Sequence, residues 1–508
     1  MELKLAPMFA DGMMLQRGKP VQIWGEAIEE GQHGAADFVT VSVAGQMTET
    51  SIVDGKWSVQ LAPLEAGNGL VLTVDCGDSH VVISDVAVGE VWIAGGQSNM
   101  EFHMKYEKHF RETGQAPQNA DIRFYDVPEV AYDGQMEAFD YSRIGVWRKA
   151  EPGSIEYFSA VGYYFANRLH EEECVPVGII GCNWGGTASL AWMSAESVKE
   201  HGGLWWDSYL EKTKDLNVEE YYSKQSTNAL NDRGNPLEDS FNNFMLPKTP
   251  SQEEIEAFFG TNMESSTIEP TMFPGCLYEH MVKVLAPYTV RGVLWYQGES
   301  DDSLEGGPQL YGQMLRALIS DWRTLWQEEL PFFVVQLTGF ESWWMVECKD
   351  FMTIREMQEQ VAKTDRNVYL CSIGDVGEQY DIHPKNKKTV GERLALLALG
   401  HAYGRNILCD APVIRRVSSE GKNICLVFEH AGDGLHMDGN NLLALCVTDI
   451  KGKHVDYKVE SIEGDTVRIS FDGSMDGKLR ISFARTNWFC VNLFNSAGIP
   501  AIPFEVTV

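Results

Sequence analysis

A serine follows the end of an apolar run in Gly95-Gly96-Gln97-Ser98-Asn99-Met100, directly after Val86-Ala-Val-Gly-Glu-Val-Trp-Ile93. Paired glycines let a chain turn sharply out of a strand. The serine then opens the next helix, where free N–H groups and the helix dipole favour developing negative charge. Those conditions suit a nucleophilic hydroxyl, and they also suit a serine that only caps the helix. Two further blocks follow other apolar strands: Asn183-Trp184-Gly185-Gly186-Thr187 after Val177–Ile180, and Gln297-Gly298-Glu299-Ser300 after Val293–Tyr296. Glycine N–H groups and a glutamine amide are neutral donors that can be aimed at a tetrahedral oxyanion. A fourth block is Asp381-Ile382-His383-Pro384. The residue before a proline is held extended, so His383 is delivered from a loop with an acid beside it. Serine first and histidine last is one of several chain orders that assemble the same catalytic groups.

The elements that must position these blocks alternate in type. Strands near Val86–Ile93, Val177–Ile180, Arg291–Tyr296, Pro331–Leu337 and Val368–Ile373 are interleaved with helical patterns at Ala160–Leu169, Leu310–Trp326 and Leu394–Ala402. That alternation predicts an α/β domain over 86–405 with a parallel sheet, its reactive groups on loops at the carboxyl ends of the strands. Residues 1–85 read as an antiparallel β-sandwich domain. Val39, Val41 and Val43 alternate with Thr40 and Ser42, and Asp54-Gly55 marks a hairpin turn. Residues of about 200–270 interrupt the α/β rhythm with a polar insertion, expected to be a lid or specificity element. Alternation of period two returns over 406–508, in Ile424–Phe428, Val467–Phe471 and Leu479–Phe483, as a C-terminal β domain.

The 508 residues carry 41 Lys plus Arg against 73 Asp plus Glu, a formal net charge of −32. Such a field repels phosphodiester backbones and anionic lipid, so neither nucleic acid nor a membrane is an expected partner. No run approaches the roughly 20 apolar residues of a membrane span. The first residues show no basic segment followed by a long apolar run, and the 10 cysteines form no C-x-x-C pair. A cytoplasmic location is the expectation. No spacing of His, Cys, Asp and Glu suggests a metal, and the chemistry of Ser98 and His383 requires neither metal nor cofactor.

The four blocks together resemble the sialate O-acetylesterase family of SGNH-type (GDSL-type) carbohydrate esterases. The blocks are Gly96-Gln97-Ser98-Asn99-Met100, Trp184-Gly-Gly-Thr187, Trp295-Tyr-Gln-Gly-Glu299 and Asp381-Ile-His-Pro384. Leu15–Pro20 with Trp24-Gly25 resembles the family's N-terminal β domain, and Asn492–Asn495 with Gly498–Phe504 its C-terminal one. The resemblance implies a flavodoxin-like three-layer domain and a serine esterase that releases acetate from O-acetylated carbohydrates. It implies Ser98 as nucleophile, His383 as base, and an oxyanion hole from the Ser98 N–H, the N–H of Gly186 or of its neighbour Gly185, and the Gln297 side chain.

The chain departs from the family pattern in three places. The wider group often places its acid three residues before the histidine, where this chain has Tyr380; Asp381 is the nearest substitute and Asp375 a more distant one. Glu279 stands where the family often has asparagine, and Ala188-Ser-Leu-Ala-Trp192 replaces a segment that runs toward Glu-x-Trp. Gln97, Trp184, Trp295, Glu299 and Arg355 are the candidate substrate contacts. Acetylated plant-wall oligosaccharides such as xylan or mannan are an alternative substrate class, and a non-catalytic sugar-binding protein an alternative of another kind. The oligomeric state is left open, with a homodimer among the expectations.

Overall fold

The strand Ser79–Gly96 is 18 residues long and joins two regions of the chain. Its first part pairs antiparallel with Gly67–Cys76, and Ala87–Gly89 pair parallel with Met14–Gln16. Its last part pairs parallel with Val177–Asn183 on one side and Gly292–Tyr296 on the other. One mixed sheet of eleven strands results. The change of rhythm read near residue 86 thus falls inside a continuous strand. This computed structural model describes residues 2–28, 38–110, 119–228, 240–248, 250–259, 268–344, 346–420, 423–471 and 477–508.

The main path of the sheet runs Arg148–Ala150, Asn119–Asp126, Val177–Asn183, Ser79–Gly96, Gly292–Tyr296, Phe332–Val335, Val368–Cys371. All its pairings are parallel except that of the edge strand Arg148–Ala150. Strands that follow Ser79–Gly96 in the chain are laid first to one side and then to the other, so this strand sits at the reversal of strand order, where a crevice opens beyond the carboxyl ends. Val86–Ala94 are buried because helices cover both faces. Trp92 packs against Phe165 of the helix Ala160–Glu173, which lies beside Lys387–His401. On the opposite face Trp295 meets Trp322 of Gly307–Trp326, which lies beside Phe351–Thr364.

In the N-terminal region the strand Phe38–Val43 buries Val39, Val41 and Val43 on one face, as the alternation predicts. Asp54 and Gly55 both take positive φ, at 50° and 73°, in the tight turn before Lys56–Leu61. The C-terminal region builds a four-stranded and a three-stranded sheet around its own apolar core, which includes Ile424, Leu426, Ile469 and Phe483. Described parts of the 200–270 insertion are helical: Gly203–Thr213, Val218–Gln225, Ser240–Met245 and Gln252–Phe259. Residues 229–239, 249 and 260–267 of that insertion lie outside the described residues.

Candidate active site

The turn that carries Ser98 is set by one glycine. Gly96 has φ +136°, and a Cβ there would lie 2.1 Å from the Tyr296 carbonyl oxygen, so only glycine fits. Gln97 then donates its backbone N–H to that carbonyl at 3.1 Å, and Ser98 opens the short helix Ser98–Glu101. Ser98 is half-buried, whereas its neighbours Gln97, Asn99 and Met100 are buried. Its N–H is at the first helical position, without an intrahelical acceptor.

The structure brings Ser98 and His383 together, with Oγ and Nε2 2.9 Å apart. The imidazole is buried, and its plane meets the Trp343 ring edge-to-face, centroids 4.9 Å apart. Burial, reinforced by the nearby Lys385 and Lys387 ammonium groups, holds its pKa well below the ordinary histidine value. It is therefore neutral, as a proton acceptor must be.

Asp381 does not hold the imidazole in the manner expected of a triad acid. Its Oδ1 accepts the His383 backbone N–H at 2.8 Å but stands 3.8 Å from Nδ1, beyond hydrogen-bond reach. Its Oδ2 pairs with Lys385 Nζ at 2.9 Å. The two-residue spacing brings the carboxylate back to the backbone, as in an Asx turn, and consumes it there. His383 Nδ1 carries no hydrogen bond among the described residues. Asp375, the more distant acid, is taken by a bidentate contact with Arg393 at 2.6 and 2.8 Å.

Facing the histidine is the second block. A Cβ on Gly185 would lie 3.2 Å from the Ser98 Cβ, so this loop lies directly on Ser98. The Gly185 N–H donates to Glu101 Oε2 at 2.6 Å and is therefore spent. Gly186, with φ +77° and open space on its Cβ side, leaves its N–H without a hydrogen bond among the described residues. Of the two glycines, Gly186 is the one able to donate to an oxyanion.

Gln297 cannot supply the third donor in this arrangement. It is fully buried, and its Nε2 donates to Asp301 Oδ2 at 2.6 Å with Gln97 Oε1 and Thr187 O at 3.3 Å. An amide has two protons, and both face protein acceptors. Asp301, also fully buried, further accepts the Ser189 N–H at 2.9 Å and its hydroxyl at 2.5 Å. Three donors offset the cost of burying that carboxylate. The block that departs from the family thus spends Ser189 on tying the second and third blocks together.

Four candidate substrate contacts are likewise internal. The Gln97 side chain is buried and bridges to the third block, accepting from Ser300 N at 3.2 Å and Gly298 N at 3.4 Å. Trp295 is fully buried between Trp192 and Trp322, so no sugar can stack on it. Arg355 is 1% exposed, donates to the Thr338 and Thr486 carbonyls and lies over the Phe489 ring, 4.7 Å from its centroid. Burial pushes its pKa down to about 10. Glu299 is buried and accepts from Asn99 Nδ2 at 2.5 Å, its pKa raised by burial. Trp184 remains 7% exposed, with its backbone N–H on the Gly96 carbonyl at 3.1 Å.

Several residues that the motifs did not single out complete the site. Glu101, one helical turn after Ser98, also accepts from Asn242 Nδ2 at 2.5 Å, which ties the insertion helix Ser240–Met245 to the turn that carries Ser98. Asp301, four residues after Gln297, shares a buried network with it, and Trp343 walls the imidazole. Spacings of three and four residues from a candidate catalytic residue were the signal for the first two.

The site thus holds a half-buried serine hydroxyl beside a buried imidazole, with the N–H groups of Ser98 and Gly186 free of hydrogen bonds among the described residues. Residues 231–399 match the family model described as carbohydrate esterase, sialic acid-specific acetylesterase. The chain is 23% identical to the mouse sialate O-acetylesterase over 543 residues, covering 98% of this chain and 93% of that one. It is 23% identical to the human enzyme of the same name over 548 residues, covering 99% and 92%. A solved carbohydrate acetylesterase from Xanthomonas citri superposes with TM-score 0.75 at 27% identity, covering 99% of both chains. This chain is a carboxylic ester hydrolase. Within that class its similarity is to carbohydrate acetylesterases, the sialate O-acetylesterases among them.

Proposed function

We propose that the protein removes acetyl groups from O-acetylated carbohydrates through a covalent acetyl-Ser98 intermediate, with His383 as the base. The observation that carries this reading is the 2.9 Å contact between Ser98 Oγ and His383 Nε2. His383 accepts the hydroxyl proton as Oγ attacks the acetyl carbonyl. The oxyanion lies toward the Ser98 and Gly186 N–H groups, which are fixed before the charge develops. Collapse expels the sugar oxygen, which takes the proton back from His383, and water repeats the sequence on the acetyl-serine.

The parallel strand order, with Ser98 at its reversal, supports the SGNH, flavodoxin-like form of the fold, flanked by β parts at 1–85 and 406–508. The 10 cysteines form no C-x-x-C pair, which supports a cytoplasmic setting. The relatives' name puts acetylated sialic acid first among substrates. Arg355, buried and committed to carbonyls, is not available for a sialate carboxylate, which keeps neutral acetylated xylo- and manno-oligosaccharides in the comparison.

Ser98→Ala tests the chemistry. Acetate release from a small chromogenic ester should fall on the order of 10^3-fold or more with the fold intact. A variant that keeps a tenth of wild-type turnover overturns the assignment. Ranking kcat/KM over acetylated sialic acids and acetylated xylo- and manno-oligosaccharides then names the sugar.

A further inference from the structure

Asn99 and Ile382 are the chain neighbours of Ser98 and His383, and they touch. Asn99 Nδ2 donates to the Ile382 carbonyl at 3.0 Å, and to Glu299 Oε1 at 2.5 Å. Its Oδ1 accepts from Lys387 Nζ. Asn99 is 1% exposed and Lys387 0%, so this amide is fixed from within the protein on every side. Lys387 is the first residue of the helix Lys387–His401, and its ammonium lies 4.8 Å from the Phe102 ring centroid and 5.3 Å from that of Tyr296.

We propose that Lys387, acting through the Asn99 amide, is a positioning residue that sets the separation of Ser98 and His383. The proposal rests on the Ser98–His383 reading above. A triad acid orients its histidine through Nδ1, and that nitrogen has no hydrogen bond among the described residues. Orientation comes instead through the peptide unit that joins Ile382 to His383: Asp381 holds its N–H, and Asn99 holds its carbonyl. An amide free to rotate could offer its oxygen to Ile382 and lose the bond. A cation at Oδ1 and a carboxylate at Nδ2 permit one orientation only, so the lysine and Glu299 fix the direction of the Asn99 dipole.

The charge also reaches the imidazole. The groups that face Lys387 are Lys385 from its own segment, Glu299 from the third block, and Asp381 and Glu378 from the histidine loop. Burial, then Lys385, brings its pKa down to about 7 against the pull of those carboxylates. His383 takes up its proton at lower pH, where Lys387 is charged. Removing the ammonium therefore raises the His383 pKa.

The test uses the full chain, a small acetate ester, and active-site titration with an organophosphorus serine reagent to count competent sites. Lys387→Met should lower kcat per titrated site by about 10-fold to 10^2-fold with KM within about twofold, as a small misplacement does. The acid limb of kcat/KM should move up by about half a pH unit or more. Lys387→Arg, which keeps the cation, should return the limb toward wild type. The double variant Asn99→Ala/Lys387→Met should lose no more than the worse single variant, because both break one chain. Wild-type kcat per titrated site with an unmoved limb overturns the proposal, as do losses that multiply. If Ser98→Ala remains active, the underlying assignment has failed instead.

Discussion

On one side of Ser98 carboxylates hold N–H groups, whereas on the other side lysines stand around an imidazole. Glu101 fixes Gly185 and Asn242, and Asp301 fixes Ser189 and Gln297. Across the crevice Lys385 pairs with Asp381, and Lys387 orients Asn99. Neither set touches the serine oxygen. On the Gly185–Gly186 side the buried negative charges are covered by donors, so they give direction to the loop that carries the open Gly186 N–H. On the histidine side burial, reinforced by the positive charges, holds the imidazole pKa down, while Asp381 and Asn99 hold the backbone. Geometry is thus set one layer behind the Ser98–His383 contact, by carboxylates on one wall and by lysines together with carboxylates on the other.

Changing the carboxylate side should cost most. Asp301→Asn keeps the shape but replaces an acceptor oxygen with an N–H that must face Gln297 or Ser189. A fall of about 10^2-fold to 10^3-fold in kcat is expected on a small acetate ester, the range for loss of an oxyanion donor. Less than a threefold loss would mean that the second and third blocks hold together without this carboxylate.

Asp381→Asn should cost far less. An asparagine oxygen can still accept the His383 N–H, and no Nδ1 bond is lost. We expect a fall in kcat of about 10-fold or less, whereas a carboxylate bonded to the imidazole would cost about 10^4-fold. Removing an anion 3.8 Å from the ring disfavours its protonation, so the acid limb of kcat/KM should move to lower pH. Lys387→Met moves it the other way, and a pH-rate profile of the two variants side by side separates their charges.

The smallest effect belongs to the insertion. Asn242→Ala removes the bond to Glu101 Oε1 while Gly185 keeps its bond to Oε2. A loss of about twofold to fivefold in kcat/KM on an acetylated sugar, with less on the small ester, is expected if the helix acts on the bulky part of the substrate. Equal losses on both esters would make Asn242 part of the oxyanion wall instead.

The blocks that carry Ser98, Gly186 and His383 were legible because each is local: a glycine turn after a buried strand, a second glycine pair, a histidine before proline. The α/β rhythm was legible from runs of apolar residues too uniform for a half-exposed sheet. Trp295, Gln97, Gln297 and Arg355 were misjudged because residue type says what a side chain can do, not which way it faces. Each is turned inward by packing between distant elements, as Trp295 is between Trp192 and Trp322. Lys387 was missed for the converse reason. It sits in Lys385-Asn-Lys-Lys388, a run that looks solvated, yet at the helix start Lys387 is fully buried while the Lys388 side chain is 41% exposed. Choosing between Gly185 and Gly186 required knowing that Glu101 reaches back to the first of them.

The strand Ser79–Gly96 carries a consequence for modularity. Its outer part is clamped by Gly67–Cys76 and Met14–Gln16, and seven residues past the last of these pairings it ends at the turn that aims Ser98. The serine is thus the tip of a beam whose butt is built into the N-terminal region. Exchange of that region for an unrelated β module would leave Val81–Gly89 without neighbours, and the loss would be felt at the tip as a change of aim. Recombination can graft new loops on the far ends of the other strands, but this one must be inherited whole, together with the sheet that grips it.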